Sequence, residues 1–187
     1  DVPAGVGLVE LDAARNLRPR FGGISTILGY AVTTVGFGMV INPTWAALPG
    51  YLLLGLIVGA IVQMSRPFPS LTPVLPTIAA AVVTVMAIEF VDATASDGLL
   101  RVISPALVAT LPGMSLTIGA MELASSQIIA GSSRLVYGMS QLALLLFGVG
   151  IGVHIAGEVA PQTPSAVMGS WSLYLAIVVV SVGLRVY

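Results

Sequence analysis

The chain contains no cysteine and no lysine, and only 8% of its 187 residues are charged. The absence of cysteine excludes disulfides, thiolate metal sites and thiol catalysis. Seven arginines and eight acidic residues leave a net charge of −1, so no basic surface is available to hold a nucleic acid. Soluble chains carry roughly 25% charged residues. The scarcity of charge therefore argues against an aqueous enzyme, a nucleic-acid binder or a disordered tail.

The chain is instead rich in apolar sequence, with 57% hydrophobic residues and a mean hydropathy of +1.03. A hydrocarbon core of ~30 Å needs about 20 apolar residues per helix. Six segments qualify: 24–41, 49–65, 73–91, a fourth that begins near Ile103, 135–156 and 169–186. We therefore expect an all-α, polytopic membrane helix bundle with about six transmembrane helices.

The fourth segment is interrupted by Leu111-Pro112-Gly113. Proline removes a backbone donor and clashes with the preceding turn, and glycine permits a non-helical dihedral. One interpretation is a simple kink that neighbouring helices tolerate. The other is a helix broken near mid-membrane, whose second half begins near Gly113 and directs its positive end into a cavity suited to a carboxylate.

The arginines indicate an orientation. With the N-terminus in the cytoplasm, six of the seven arginines lie inside and only Arg101 lies outside, as the positive-inside rule requires for short loops. Residues 1–21 are predicted to form an amphipathic cytoplasmic lead-in on the membrane surface. Residues 22–168 are expected to form a five-helix transporter half, with a sixth helix in 169–187. Because Asp1 is not an initiator, we interpret the chain as part of a longer membrane protein.

The first and sixth segments resemble each other at an offset of 147 residues. When 22–37 is aligned with 169–184, six of sixteen positions are identical: Gly22/Gly169, Ser25/Ser172, Leu28/Leu175, Val32/Val179, Val35/Val182 and Gly36/Gly183. A second copy that opens after five helices is inverted in the membrane, as in many secondary transporters. The sixth helix is thus predicted to start a second, inverted repeat.

Two charged residues flank a polar run after the Pro-Gly break, Glu122 before it and Arg134 after it. An ion at the bilayer centre costs at least ~2.5–3.5 kcal/mol, so charges near spans tend to be paired and functional. Glu122 could carry a coupling proton, and Arg134 could pair with it or hold a substrate carboxylate. Alternatively, Glu122 lies at the cytoplasmic interface and Arg134 only anchors the topology.

Other polar groups predict no chemistry. Glu89 and Asp92 share a helix face at i and i+3, but acids are common at the ends of membrane helices. His154 and Glu158 lack the third ligand of a metal site. The sequence has no Gly-x-Ser-x-Gly nucleophile motif and no phosphate-binding glycine loop. We expect no enzyme, no cofactor and no metal.

The stretch from Ile103 to Tyr137 resembles the threonine/serine exporter family of bacterial amino-acid transporters. The resemblance rests on Leu111-Pro112-Gly113, on Glu122 within 119–123, and on Gly131-Ser132-Ser133-Arg134-Leu135. It implies two five-helix halves, fused or in separate partner chains, in the inner membrane of a bacterium. It also implies export of small hydroxy amino acids driven by the proton gradient.

We therefore predict a substrate-binding and transport site made of seven residues: Pro112, Gly113, Ser115, Thr117, Glu122, Ser132 and Arg134. The substrate ammonium needs an acid or carbonyls, its carboxylate needs helix amides or an arginine, and its hydroxyl needs Ser115 or Thr117. The expected partners are a small amino acid, the lipid bilayer, the other transporter half and further copies of the protein. The alternative function is a non-transporting structural or assembly subunit, in which the fourth helix would be continuous, kinked and without a water-accessible cavity.

Overall fold

The computed structural model describes residues 22–68, 71, 73–91, 98–157 and 166–186. Within these ranges the chain is helical apart from loops and one isolated bridge between Thr44 and Val167. The predicted lead-in 1–21 lies outside the described residues, as do Asp92 and Glu158.

The described part of the chain forms seven α-helices: α1 (Gly23–Ile41), α2 (Leu48–Ser65), α3 (Leu75–Met86), α4 (Leu99–Leu107), α5 (Gly113–Ala124), α6 (Ile128–Ala156) and α7 (Ser172–Val186). A π-helical turn, Ala87–Val91, continues α3, and a 3-10 turn, Val108–Thr110, continues α4. The predicted membrane helix bundle is confirmed.

The described residues show part of the predicted set of six spans. Helices α1, α2 and α6 are long and apolar enough to cross a membrane, and the bent pair made by α4 and α5 gives a fourth span if it is taken as one. By length and composition the described residues thus give three or four spans, against the six predicted. The difference arises because α3 and α7 are apolar but shorter than a full span.

Glycines allow the first helices to pack closely. A Cβ atom on Gly55 would lie 2.7 Å from the Cα of Ala31, and one on Gly59 would lie 2.9 Å from the Cα of Ile27. Backbone contact of this kind replaces the hydrophobic effect, which does not drive helix association in lipid. The core lies between α1, α2, α3 and α4, where Tyr51 and Leu54 are fully buried.

Helix α6 is longer than the predicted fifth span, because it begins at Ile128 rather than at residue 135. Its 29 residues span roughly 43 Å at 1.5 Å per residue. The C-terminal half packs parallel to α3: Gly148 lies against Thr77, and Gly152 against Thr84. The hydroxyl of Thr77 donates to the carbonyl of Leu144 over 3.0 Å. The N-terminal half of α6 therefore extends beyond the start of α3.

The two tryptophans mark one end of the bundle. The rings of Trp45 and Trp171 lie 5.9 Å apart, and the amide of Met168 donates to the carbonyl of Pro43 over 2.6 Å. The α1–α2 turn and the segment before α7 therefore lie together. Tryptophans that share an end of a membrane bundle are typical of the belt at the lipid headgroups.

Candidate functional site

The chain changes direction sharply at Leu111 and Pro112. Leu111 is extended, with φ −68° and ψ 137°, and Pro112 has φ −78° and ψ 45°, so neither residue continues a helix. The helical segment 99–110 and α5 are bent by 68° across these residues. Helix α5 begins at Gly113, and its first hydrogen bond runs from the amide of Leu116 to the carbonyl of Pro112 over 3.1 Å.

Two helix ends of opposite polarity meet at this break. The last carbonyls of a helix and the first amides of the next have no partner inside their own helices. They carry partial negative and partial positive charge respectively. The break thus offers acceptors from the end of the 3-10 turn beside donors from the start of α5.

Helix α5 forms a tight antiparallel hairpin with the N-terminal half of α6. A Cβ on Gly131 would lie 2.7 Å from the carbonyl oxygen of Gly119, and one on Gly119 would lie 3.0 Å from the carbonyl oxygen of Gly131. A Cβ on Gly138 would likewise collide with the side chain of Leu116. Among the described helices, α5 packs extensively on α6 alone.

The turn of the hairpin is closed by backbone hydrogen bonds. The amide of Gln127 donates to the carbonyl of Glu122 over 2.8 Å, and the amide of Ser126 donates to that of Leu123 over 3.0 Å. This is the Schellman pattern, which places one residue in the left-handed region. That residue is Ser126, with φ 62°.

The hairpin brings Glu122 and Arg134 together. Nε of Arg134 lies 3.0 Å from Oε1 of Glu122, and the two side chains are 51% and 19% exposed, respectively. The other carboxylate oxygen, Oε2 of Glu122, is buried and has no hydrogen-bond partner among the described residues. A buried carboxylate oxygen without a partner can accept a proton or a hydrogen bond from a ligand.

The hydroxyl groups of the polar run bond to their own helices. Ser132 donates to the carbonyl of Ile129 over 3.2 Å, and Ser125 donates to that of Met121 over 2.9 Å. Ser115 is half-buried and precedes Glu122 by two turns, so both lie on one side of α5. Thr117 is exposed and lies on a different face.

The predicted site residues therefore form two groups. Pro112, Gly113 and Ser115 lie at the start of α5, whereas Glu122 and Arg134 lie near its end, with Ser132 on the same hairpin. Nine residues of helix separate Gly113 from Glu122, which is ~14 Å along the axis. The two groups therefore lie near opposite ends of α5.

Sequence reasoning missed the glycine face that builds the hairpin. Gly131, Gly138 and Gly152 recur at multiples of seven residues, with Leu145 between them, and all four are buried. A seven-residue period keeps one helix face towards its neighbours. The seven-residue spacing of these residues is the sequence pattern from which this helix face could have been predicted.

Comparison with known families decides the class of protein. Residues 2–156 match the model of the family described as "Putative threonine/serine exporter" (ThrE). The chain belongs to this exporter family. No curated protein and no solved structure matches the chain.

Membership of this exporter family means that the chain is a membrane protein with a small-molecule substrate and not an enzyme. The match covers α1 to α6 and ends at Ala156, so α7 lies outside it. Both groups of site residues lie inside the matched region. In this member of the exporter family, His154 and Glu89 are exposed, and the described residues hold no cluster of three metal-ligating side chains.

Proposed function

We propose that the chain is the first half of a secondary exporter of threonine and serine that is driven by the proton-motive force. The observation that carries the proposal is the carboxylate of Glu122, which has one oxygen paired with Arg134 and the other buried without a partner among the described residues. A partly buried ionisable group with one unpaired oxygen, in an otherwise apolar hairpin of a membrane protein, is expensive to keep and is a candidate functional site by default.

The substrate binds at the Pro112-Gly113 break in this proposal. A zwitterionic amino acid carries an ammonium and a carboxylate, and the break presents helix carbonyls beside helix amides. Broken membrane helices bind amino acids through such ends. Ser115 lies in the first turn of α5, where its hydroxyl is positioned for the hydroxyl of threonine or serine. Thr117 takes no part in binding, because it lies on another face.

Glu122 and Arg134 act as the coupling pair rather than as substrate ligands, since they lie one helix length away from the break. Protonation of Oε2 removes the negative charge that holds Arg134. The end of α5 is then released from α6, and the opposite end of α5 at the break moves with it. Proton binding is thereby linked to the conformation of the substrate site. Ser132 takes no direct part in the pair, because its hydroxyl donates to the carbonyl of Ile129 in its own helix.

The arrangement in the membrane completes the proposal. We place the protein in the inner membrane of a bacterium with its N-terminus in the cytoplasm, as the arginines predict. The six helical segments, including α4 and α5 as one broken span, cross the bilayer. Residues 22–168 form the first five-helix unit, and α7 opens a second inverted unit. The other half is fused or contributed by a partner chain, and further copies can assemble around it.

The test is export by the complete exporter in proteoliposomes. Glu122→Gln keeps the size and hydrogen bonding of the side chain but cannot exchange a proton, so threonine movement should lose its dependence on the pH gradient. The control is Glu89→Gln, a change of the same kind at an exposed acid in the π-helical turn, which should leave transport unchanged. Gradient-driven transport that persists in Glu122→Gln would remove Glu122 from the mechanism. A wild-type protein that moves no threonine would favour the structural-subunit alternative.

A further inference from the structure

An apolar cleft of about 300 Å³ lies between α1, α4 and α6. Its floor includes Ile103 and Leu145, which are buried. Its walls include Ile41 of α1 and Leu146 of α6, which are exposed. Among the described residues that line it, Ser104 alone is polar, and its hydroxyl donates to a carbonyl of its own helix. The cleft therefore opens on the surface of the bundle and offers an occupant apolar contacts.

The length of the cleft matches one leaflet of a bilayer. It follows α4 from Leu100 to Leu111 at the break, which is roughly 17 Å at 1.5 Å per residue in the α-helix and 2.0 Å in the 3-10 turn. The hydrocarbon core is ~30 Å thick, so one leaflet contributes about 15 Å. The other end of the cleft reaches Ile41, at the end of α1 that leads into the turn with Trp45. The cleft thus runs from the level of the headgroups to the break.

Positive charge is present where the cleft reaches the headgroups. Arg101 is exposed and precedes Ser104 by one helical turn, so it lies at the edge of the cleft. No carboxylate among the described residues pairs with it. The first amides of α4, which begins at Leu99, add partial positive charge at the same end. Arg101 is also the one arginine that the predicted orientation places outside, where the positive-inside rule does not account for it.

We infer that the cleft binds one anionic phospholipid, with an acyl chain against Ile103 and Leu145 and its phosphate on Arg101. Arginine binds phosphate through strong, charge-assisted hydrogen bonds, and the apolar lining suits a hydrocarbon chain. A helix of another protein is a poorer fit, because the cleft ends at Leu111 after one leaflet whereas a transmembrane helix crosses ~30 Å. The inference depends neither on the transported substrate nor on the coupling residues.

The experiment is native mass spectrometry of the complete exporter, released from nanodiscs with equal amounts of phosphatidylglycerol and phosphatidylethanolamine. The wild type should retain phosphatidylglycerol in severalfold excess. Arg101→Gln removes the charge and leaves the cleft, so this preference should be lost. Ser104→Leu fills the cleft, so one fewer phospholipid should be retained. Leu146→Trp fills the cleft from α6 and repeats the measurement in case Ser104→Leu does not fold.

Each substitution has a matched control. Arg185→Gln removes an exposed arginine of α7, and Ser140→Leu replaces an exposed serine of α6 that also donates to its own helix. Both controls should retain lipid as the wild type does. Equal losses in the controls and in the cleft variants would show unspecific lipid and overturn the inference.

Two further results would also overturn it. Unchanged retention in Ser104→Leu and Leu146→Trp would show that no lipid occupies the cleft, as expected if the other transporter half covers it. An unchanged preference for phosphatidylglycerol in Arg101→Gln would show that the phosphate does not lie on Arg101. Because no transport is measured, these outcomes are separate from that of Glu122→Gln.

Discussion

Glu122 and Arg134 each occupy an electrostatically unfavourable position in their own helix. Glu122 lies in the last turn of α5, where the helix end is partially negative, and Arg134 lies in the second turn of α6, near a partially positive end. Neither charge is stabilised by the dipole of its own helix. The 3.0 Å contact between the two side chains is the interaction that stabilises both charges. A stabilising arrangement would place the two charges the other way round. The pair therefore fits the coupling role proposed above better than a role in stabilising the two helices.

Ser126 gives a test of the hairpin turn at the residue scale. An L-residue in the left-handed region costs roughly 1–2 kcal/mol, and glycine avoids this cost. Ser126→Gly should therefore stabilise the protein by about 1 kcal/mol, seen as a higher midpoint of thermal unfolding in detergent. The matched control is Ser125→Gly, because Ser125 has φ −88° and gains nothing from glycine. An unchanged or lower midpoint for Ser126→Gly would contradict the Schellman turn.

At the scale of helices, the hydrophobic pattern predicted the boundaries where strong terminators stand. The first two segments were predicted to begin at residues 24 and 49, and α1 and α2 begin at Gly23 and Leu48 and end where predicted. Asn-Pro follows the first and Arg-Pro follows the second, and neither dipeptide continues a helix.

The start of α6 could not be predicted in the same way. The polar run before Arg134 was interpreted as the boundary of a span, whereas the structure continues the helix through it from Ile128. Serine hydroxyls that donate to carbonyls of their own helix remove the cost of placing them there, as Ser132 and Ser133 do. The charged residues of the site were identifiable because charges are rare, but their pairing depends on the Gly119–Gly131 contact, which hydropathy does not show.

The contact between Gly119 and Gly131 gives a testable prediction about the packing of α5 on α6. A methyl group on Gly131 would lie 2.7 Å from the carbonyl oxygen of Gly119, so Gly131→Ala must separate α5 from α6. We expect a loss of about 1–3 kcal/mol in stability and strongly reduced threonine export. Gly150→Ala is the control on the same helix, because a Cβ there meets nothing within 4 Å, and it should behave as wild type. Equal effects of the two substitutions would show that the hairpin contact is not required.

The whole molecule combines a bundle with a hairpin that extends past it. Helices α1, α2, α3, α4 and α7 form the bundle, the C-terminal half of α6 joins it mainly through α3, and α5 packs on the other half of α6. The break at Pro112 lies where the bundle meets the hairpin. A change at the Glu122–Arg134 end therefore reaches the bundle through α5 as one rigid helix, which is the element that the coupling proposal requires to move.

The residues exposed at the two ends of the bundle predict which side of the membrane each end faces. Ala46 and Val167 are exposed and lie at the end of the bundle that carries the two tryptophans, whereas Phe68 is exposed beyond the opposite end of α2. With the N-terminus in the cytoplasm, single cysteines at Ala46 and Val167 should react with a membrane-impermeant maleimide added to intact spheroplasts. A cysteine at Phe68 should react only after the membrane is permeabilised. The unsubstituted chain has no cysteine and is the blank. The reverse pattern would invert the orientation, and opposite labelling of Ala46 and Val167 would contradict the contact between the α1–α2 turn and the segment before α7.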